Sequence, residues 1–270
     1  MDVTSELIKF KANYHTHHEL CRHAEGTTED YVKEAIRCGF KELGMSDHAY
    51  SYLINDYGVR MKPEEFPIYN KDIEDNILKY QDKIKIYKGF EVEFIENNND
   101  YYNELLEKVE YLILGQHYIS FDSGFSNPIS SFALVSKEEI IEYARMIEKA
   151  LETKYFTLLA HPDLYMCGYK EWDETAIEVA HTICKAAKKA NIPVEYNANG
   201  FRRRKVMTTS GLKRPYPREE FFEIVKEYDL EVIISSDCHV PELLCDEYLL
   251  EAVEALDKQG IKRIDFLKIK

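Results

Sequence analysis

Apolar, often β-branched runs recur along this chain at intervals of about 25 to 45 residues, and almost every one ends in a histidine or a carboxylate. The spacing predicts strands over Phe10–Tyr14, Glu42–Met45, Lys85–Phe94, Tyr111–Leu114, Thr157–Ala160, Pro193–Tyr196, Glu231–Ile234 and Ile264–Ile269. Amphipathic stretches lie between them. Thr27-Thr-Glu-Asp30 and Ser136-Lys-Glu-Glu139 carry helix-opening residues, and Ile177, Ala180, Ile183, Cys184 and Ala187 repeat at helical spacing within Glu174–Ala190. A βαβα order requires a mainly parallel sheet, since each strand returns by a crossover helix. If the sheet closes into a barrel, all strand C-termini open on one face, and residues far apart in sequence converge there.

The residues at those ends are His15 and His17, His23, Asp47 and His48, Glu91, His117, His161 and Asp163, Glu195 and Asn197, and Asp237 and His239. Seven of the nine histidines of the chain are among them. Neutral imidazole is a common ligand of transition metals, and His15 and His17, two apart on an extended segment, leave the same side of the strand. Glu91 and Asp237 add carboxylates that neutralise charge and can bridge ions. Seven imidazoles against two carboxylates favour zinc, iron or manganese over magnesium or calcium, which take oxygen shells. Nine candidate ligands exceed the needs of one ion with an open position, so two to three divalent transition metal ions are expected. His18, facing opposite to His17, and His181, in mid-helix, are expected to stay outside the cluster.

Composition narrows the remaining classes. At 270 residues, one barrel domain over 1–270 is expected. The net charge of −14 argues against partners that need a cationic surface, nucleic acid or an anionic membrane. The chain shows no signal peptide and no long apolar run, and its six cysteines include no CxxC pair; a cytoplasmic protein with reduced thiols is expected, its oligomeric state open. Two long loops, Ala49–Lys62 and Ile119–Val135, are candidate lids, and Phe201–Arg214 is conspicuously basic.

In order, the segments His15-Thr-His17, Cys21-Arg-His23, Ser46-Asp-His48, Gly89-Phe-Glu91-Val-Glu93, Gly115-Gln-His117, His161-Pro-Asp163, Glu195-Tyr-Asn197, Gly200-Phe-Arg202 and Ser236-Asp237-Cys-His239 resemble the polymerase and histidinol phosphatase (PHP) superfamily, and within it the histidinol-phosphatases of histidine biosynthesis. The resemblance implies a distorted TIM-like (β/α)7 barrel and a trinuclear site hydrolysing a phosphate monoester, so that the partner is a small-molecule phosphate ester. It assigns His15, His17, Glu91 and Asp237 to one ion, Glu91, His117 and His161 to a second, and His23, His48 and His239 to a third. It also points to Arg202 as a phosphate clamp. A phosphoesterase of other specificity, a non-catalytic metal-binding module and a metal-dependent deacetylase are the alternatives.

Phosphoryl transfer needs an aligned nucleophile and neutralisation of the equatorial oxygens. Clustered ions supply both, by lowering the pKa of a water and by binding phosphate. Lys170 is a second candidate for contacting phosphate. Asp163, two residues beyond His161, is a candidate either to protonate the leaving oxygen or to orient a ligand, and Glu93 either to support a ligand or to meet the substrate's ammonium group. Tyr118, Phe121 and Phe125 are candidates for an aromatic wall.

Overall fold

The computed structural model describes residues 10–269, apart from 55, 57 and 123. Seven parallel strands form one sheet: β1 (Ala12–Asn13), β2 (Glu42–Met45), β3 (Lys85–Val92), β4 (Tyr111–Leu114), β7 (Leu158–Leu159), β8 (Val194–Asn197) and β11 (Val232–Ser235), neighbours in that order. Helices α1 (Thr28–Arg37), α2 (Phe66–Tyr80), α3 (Asn99–Lys108), α4 (Lys137–Glu152), α5 (Glu174–Ala190), the short α6 (Asn199–Arg202), α7 (Glu219–Glu227) and α8 (Glu247–Gln259) complete the α/β alternation. The sheet curls until its edges nearly meet, with Thr16 bridging in parallel to Cys238 and the His17 N–H donating to the Cys238 carbonyl at 3.0 Å. This is the expected seven-stranded, distorted (β/α) barrel.

The helix starts follow the local chemistry. Thr27 with Asp30, and Ser136 with Glu139, form reciprocal capping boxes that satisfy otherwise orphaned N–H groups at the starts of α1 and α4. Strand residues alternate between two apolar clusters. Leu112, Leu114, Val232 and Ile234 belong to the larger one beneath the helices, while Tyr87, Tyr111, Ile113, Leu158 and Ile233 form a separate inner one. Tyr111 fills the barrel: a Cβ on Gly89 would fall 2.4 Å from its ring, so only glycine fits there. Continuing the same two-residue step along β3, the inner position passes from Tyr87 through Gly89 to Glu91 and Glu93; along β4 it runs from Tyr111 and Ile113 to Gly115 and His117. The barrel interior is therefore apolar below and ligand-bearing at its C-terminal mouth.

Two expectations are corrected here. Ile264–Ile269 forms no strand; Arg263 makes an isolated parallel bridge to Val232, and the Ile264 N–H donates to the Val232 carbonyl at 2.8 Å. Lys11 beside β1 pairs with Asp265 at 2.6 Å and Leu267 joins the inner cluster, so this segment wedges between the two barrel edges as irregular chain. The second concerns the cysteines. Cys38, ending α1, and Cys245, preceding α8, are disulfide-bonded across 207 residues, whereas Cys21, Cys167, Cys184 and Cys238 are free. Only the fold brings that pair together, which is why no local cysteine pattern announces it.

One long loop and the basic segment hold small sheets of their own. Tyr118–Ile119 (β5) pairs antiparallel with Ile129–Ser130 (β6), and the basic segment folds as the hairpin of β9 (Val206–Thr208) and β10 (Gly211–Lys213). Among the described residues, no helix is long and apolar enough to cross a membrane.

Candidate metal centre

Glu91, 1 % exposed near the end of β3, is the hub of the barrel mouth. Its Oε2 lies 3.3 Å from His15 Nε2, 3.4 Å from His17 Nε2 and 3.0 Å from His48 Nδ1. Its Oε1 lies 3.2 Å from His117 Nε2 and 2.9 Å from His161 Nε2. The carboxylate can occupy this point because residue 115 is glycine; a Cβ there would sit 2.0 Å from Oε1. Asp237 closes the other side, its Oδ1 3.6 Å from His15 Nε2 and 3.2 Å from His17 Nε2.

The donor set fits metal ions on two grounds. First, His15 Nε2, His17 Nε2 and Glu91 Oε2 are buried and approach one another without any of them having a hydrogen-bond partner among the described residues. Buried polar atoms left so cost free energy unless something binds them, and lone pairs aimed at a shared point suit a cation. Second, the far nitrogens are anchored. His15 Nδ1 meets Glu195 at 2.8 Å, His17 Nδ1 the Cys21 Sγ at 3.3 Å, His23 Nδ1 the Cys21 carbonyl at 2.7 Å and His117 Nδ1 the Glu93 carboxylate at 3.1 Å. Such contacts fix the ring and leave Nε2 free to ligate. His48 is turned the other way, with Nδ1 toward Glu91.

Candidate ligands make up three of the compact donor groups: His15, His17 and Asp237; His15, Glu91 and His161; and His17, His48 and His239, the ligand atoms of each lying within 4.8 Å of one another. The His23 ring stands 4.6 Å from that of His239. All nine candidate ligands are thus brought together at one mouth. His161 and Asp237 hold φ of 27° and 45°, in the left-handed region that side chains seldom adopt. Such backbone persists only where its surroundings enforce it, and it collects at functional sites.

The electrostatics ask for positive charge. Burial opposes ionisation of Glu91, yet the surrounding His117, His15 and His48 hold its pKa well below the carboxylate range; Asp237 is lowered likewise against burial, by His15, His17 and His239. Burial would lower His15 and His117 too, but Glu195, Asp237 and Glu91 raise the first well above the imidazole range, and Glu91 and Glu93 raise the second to about 10. Burial and the neighbouring His17 push His48 well down and His239 to about 3, so these two rings are neutral and ready to ligate.

The other expected site residues divide. Glu93 lies in the cleft, committed to Arg60 at 2.8 Å and to His117, so it orients the His117 ring. Asp163 is 1 % exposed and outside the cleft lining; burial raises its pKa to about 7, and its Oδ2 accepts the Arg218 backbone N–H at 2.5 Å. Arg202 also points elsewhere. Its guanidinium pairs with Asp246 at 2.8 and 2.9 Å and donates to the Ser236 and Leu243 carbonyls. Lys170 is exposed and absent from the cleft wall. Tyr118 lines the cleft, whereas Phe121 is 61 % exposed and Phe125 is packed into the main core. His18 is tied to Asp47 and His181 to Tyr228, both away from the cluster.

Sequence reasoning missed Arg203. It lines the cleft, stacks on Phe132 at 4.9 Å and Tyr216 at 5.4 Å, and donates from Nε to the Tyr216 hydroxyl at 2.9 Å. The triple arginine 202–204 was the signal, but which member reaches the mouth depends on where α6 ends. Arg60, the single arginine of the Ala49–Lys62 loop, was missed as well; it is 1 % exposed and borders the same cleft of about 210 Å3.

Comparison with known proteins agrees with this geometry. The PHP domain model matches residues 13–199. Two curated relatives, each a probable histidinol-phosphatase, are similar along most of their length: one from Deinococcus radiodurans, 24 % identical over 84 % of this chain and 85 % of its own, and one from Schizosaccharomyces pombe, 26 % identical over 92 % and 86 %. The fold is shared with the histidinol phosphate phosphatase of Lactococcus lactis, crystallised with zinc, L-histidinol and phosphate, at a TM-score of 0.70 and 18 % identity, covering 94 % of this chain and 95 % of that one. With its barrel, its ordered ligand segments and the family match in agreement, the chain belongs to the PHP domain family.

Proposed function

We propose that this protein hydrolyses a phosphate monoester, with L-histidinol phosphate as the substrate and L-histidinol and phosphate as products. The observation that carries the reading is a cationic clamp set over a nine-ligand centre: Arg203 and the Glu91 cluster share the walls of one small cleft. The likeness to probable histidinol-phosphatases supplies the leaving group. A cleft of about 210 Å3 suits a small ester, and the overall charge of −14 gives nucleic acid little to bind.

His15, His17, Glu91 and Asp237 would hold one ion, Glu91, His117 and His161 a second, and His23, His48 and His239 a third, with zinc, iron or manganese suited to the donors. When bound, such ions provide a water ionised near neutral pH and neutralise charge on phosphoryl oxygens. The chain's own residues do the rest. Arg203 uses Nε on Tyr216, which leaves its two terminal nitrogens to grip phosphoryl oxygens. Stacking on Phe132 and Tyr216 holds the guanidinium plane in place, so little side-chain entropy is lost on binding. Asn197 and Asn199 donate to Asp237 Oδ2 at 3.0 and 3.3 Å, keeping its other oxygen directed at His15 and His17. Tyr118 and Phe132 line the same cleft, and a flat imidazole would lie against them.

Asp163 serves as a positioning residue in this reading. By holding the Arg218 N–H it fixes the turn that carries Tyr216, and through Tyr216 the clamp.

Metal analysis with paired kinetics tests the proposal. Protein purified with zinc, iron or manganese is expected to carry two to three ions per chain, to lose phosphate release on chelation and to recover it on adding metal back. Less than one ion per chain, or activity indifferent to chelation, would contradict a catalytic centre.

A further inference from the structure

Away from the metal cleft, a second cavity of about 330 Å3 opens between the β9–β10 hairpin, the start of α7 and the end of α8. Lys205, Lys213, Arg214, Arg218 and Lys258 line it, against the carboxylates Glu219 and Glu220. Cations therefore prevail here, in a chain with 49 acidic and 35 basic residues. A concave wall of one sign concentrates potential and draws counter-ions.

The cations are incompletely neutralised. Lys213 pairs with Glu220 at 2.7 Å and Arg214 with Glu251 at 3.1 Å, but Lys205 and Lys258 have no ion pair among the described residues. Arg218 is the more telling. Its side chain is 1 % exposed, its Nε and Nη1 make only long contacts of 3.4 Å to Glu220 and the Lys170 carbonyl, and its buried Nη2 has no hydrogen-bond partner among the described residues. A buried guanidinium without full partners is costly unless an anion completes it. The nine-residue helix α7 begins at the same wall without a side-chain cap from Arg218, presenting the positive end of its dipole.

We propose that this cavity is a binding site for a small phosphorylated anion, separate from the metal cleft and independent of the reaction assigned there. A tetrahedral dianion satisfies guanidinium and ammonium donors at once. The site also adjoins the catalytic wall. Pro217 and Arg218 line the cavity, while Tyr216, next in the chain, lines the cleft and holds Arg203.

Equilibrium dialysis of labelled inorganic phosphate against the metal-loaded full chain tests the proposal. Wild-type protein is expected to hold two phosphates per chain. The Lys205→Ala/Lys258→Ala protein, altered only at exposed residues, should weaken one of them by about ten-fold or more. Its turnover at low phosphate should match wild type. Arg203→Ala should weaken the other phosphate, a result that bears on the catalytic reading alone. A single phosphate per wild-type chain, or two whose affinities both survive the double lysine substitution, would overturn the second site.

Discussion

Replacing Glu91 by glutamine is expected to lower kcat by at least about 10³-fold, equivalent to roughly 4 kcal/mol, while the barrel stays folded. Glutamine keeps the shape that Gly115 accommodates but removes the charge that faces five imidazoles. Among those rings, burial already holds His48 in its neutral form. What the rings lose is a carboxylate with one oxygen facing His15, His17 and His48 and the other facing His117 and His161. Metal content should fall together with activity, and circular dichroism should be unchanged. A Glu91→Gln enzyme that kept its metal and turned over at the wild-type rate would remove Glu91 from the centre.

Adjacent arginines should give opposite phenotypes. Arg203→Ala is expected to lower kcat/KM by about 10²-fold or more, because it removes charge-assisted bonds worth roughly 1.5–3 kcal/mol each. Lysine should restore little, since it can neither fork across two oxygens nor stack on Phe132 and Tyr216 in the same way. Arg202→Ala should leave kcat/KM near wild type and lower stability by roughly 3 kcal/mol, because it strands Asp246, 7 % exposed, without its partner. Melting temperatures and steady-state kinetics on both variants separate the two roles. A kinetic defect in Arg202→Ala equal to that of Arg203→Ala would contradict the division.

The arginine pair also shows where sequence legibility stops. The convergence of the candidate ligands could be read because a parallel barrel converts a list of strand ends into a single mouth, and each end bears a chemically distinctive side chain. His15, Glu91, His117 and Asp237 needed only that topology to be placed together. Arg202 and Arg203 are the same residue type in the same run, and their fates separate at the end of α6; one meets Asp246, 44 positions away, and the other enters the cleft. Asp163 was placed near the mouth by sequence proximity to His161, but it is buried against Arg218, a partner 55 positions away. The Cys38–Cys245 bond and the strandless tail after Arg263 are likewise consequences of how the barrel closes. Periodicity marks a segment as apolar and extended, but it does not say whether a neighbouring edge is free to pair with it.

The most direct test of the proposed activity is the kinetics of phosphate release from L-histidinol phosphate, set beside p-nitrophenyl phosphate, a sugar phosphate and a nucleoside monophosphate, on the metal-loaded enzyme. We expect kcat/KM for L-histidinol phosphate to exceed each of the others by about 10²-fold or more, the scale that several specific contacts to one leaving group provide. Comparable turnover of all four esters, or none with L-histidinol phosphate, would contradict that assignment.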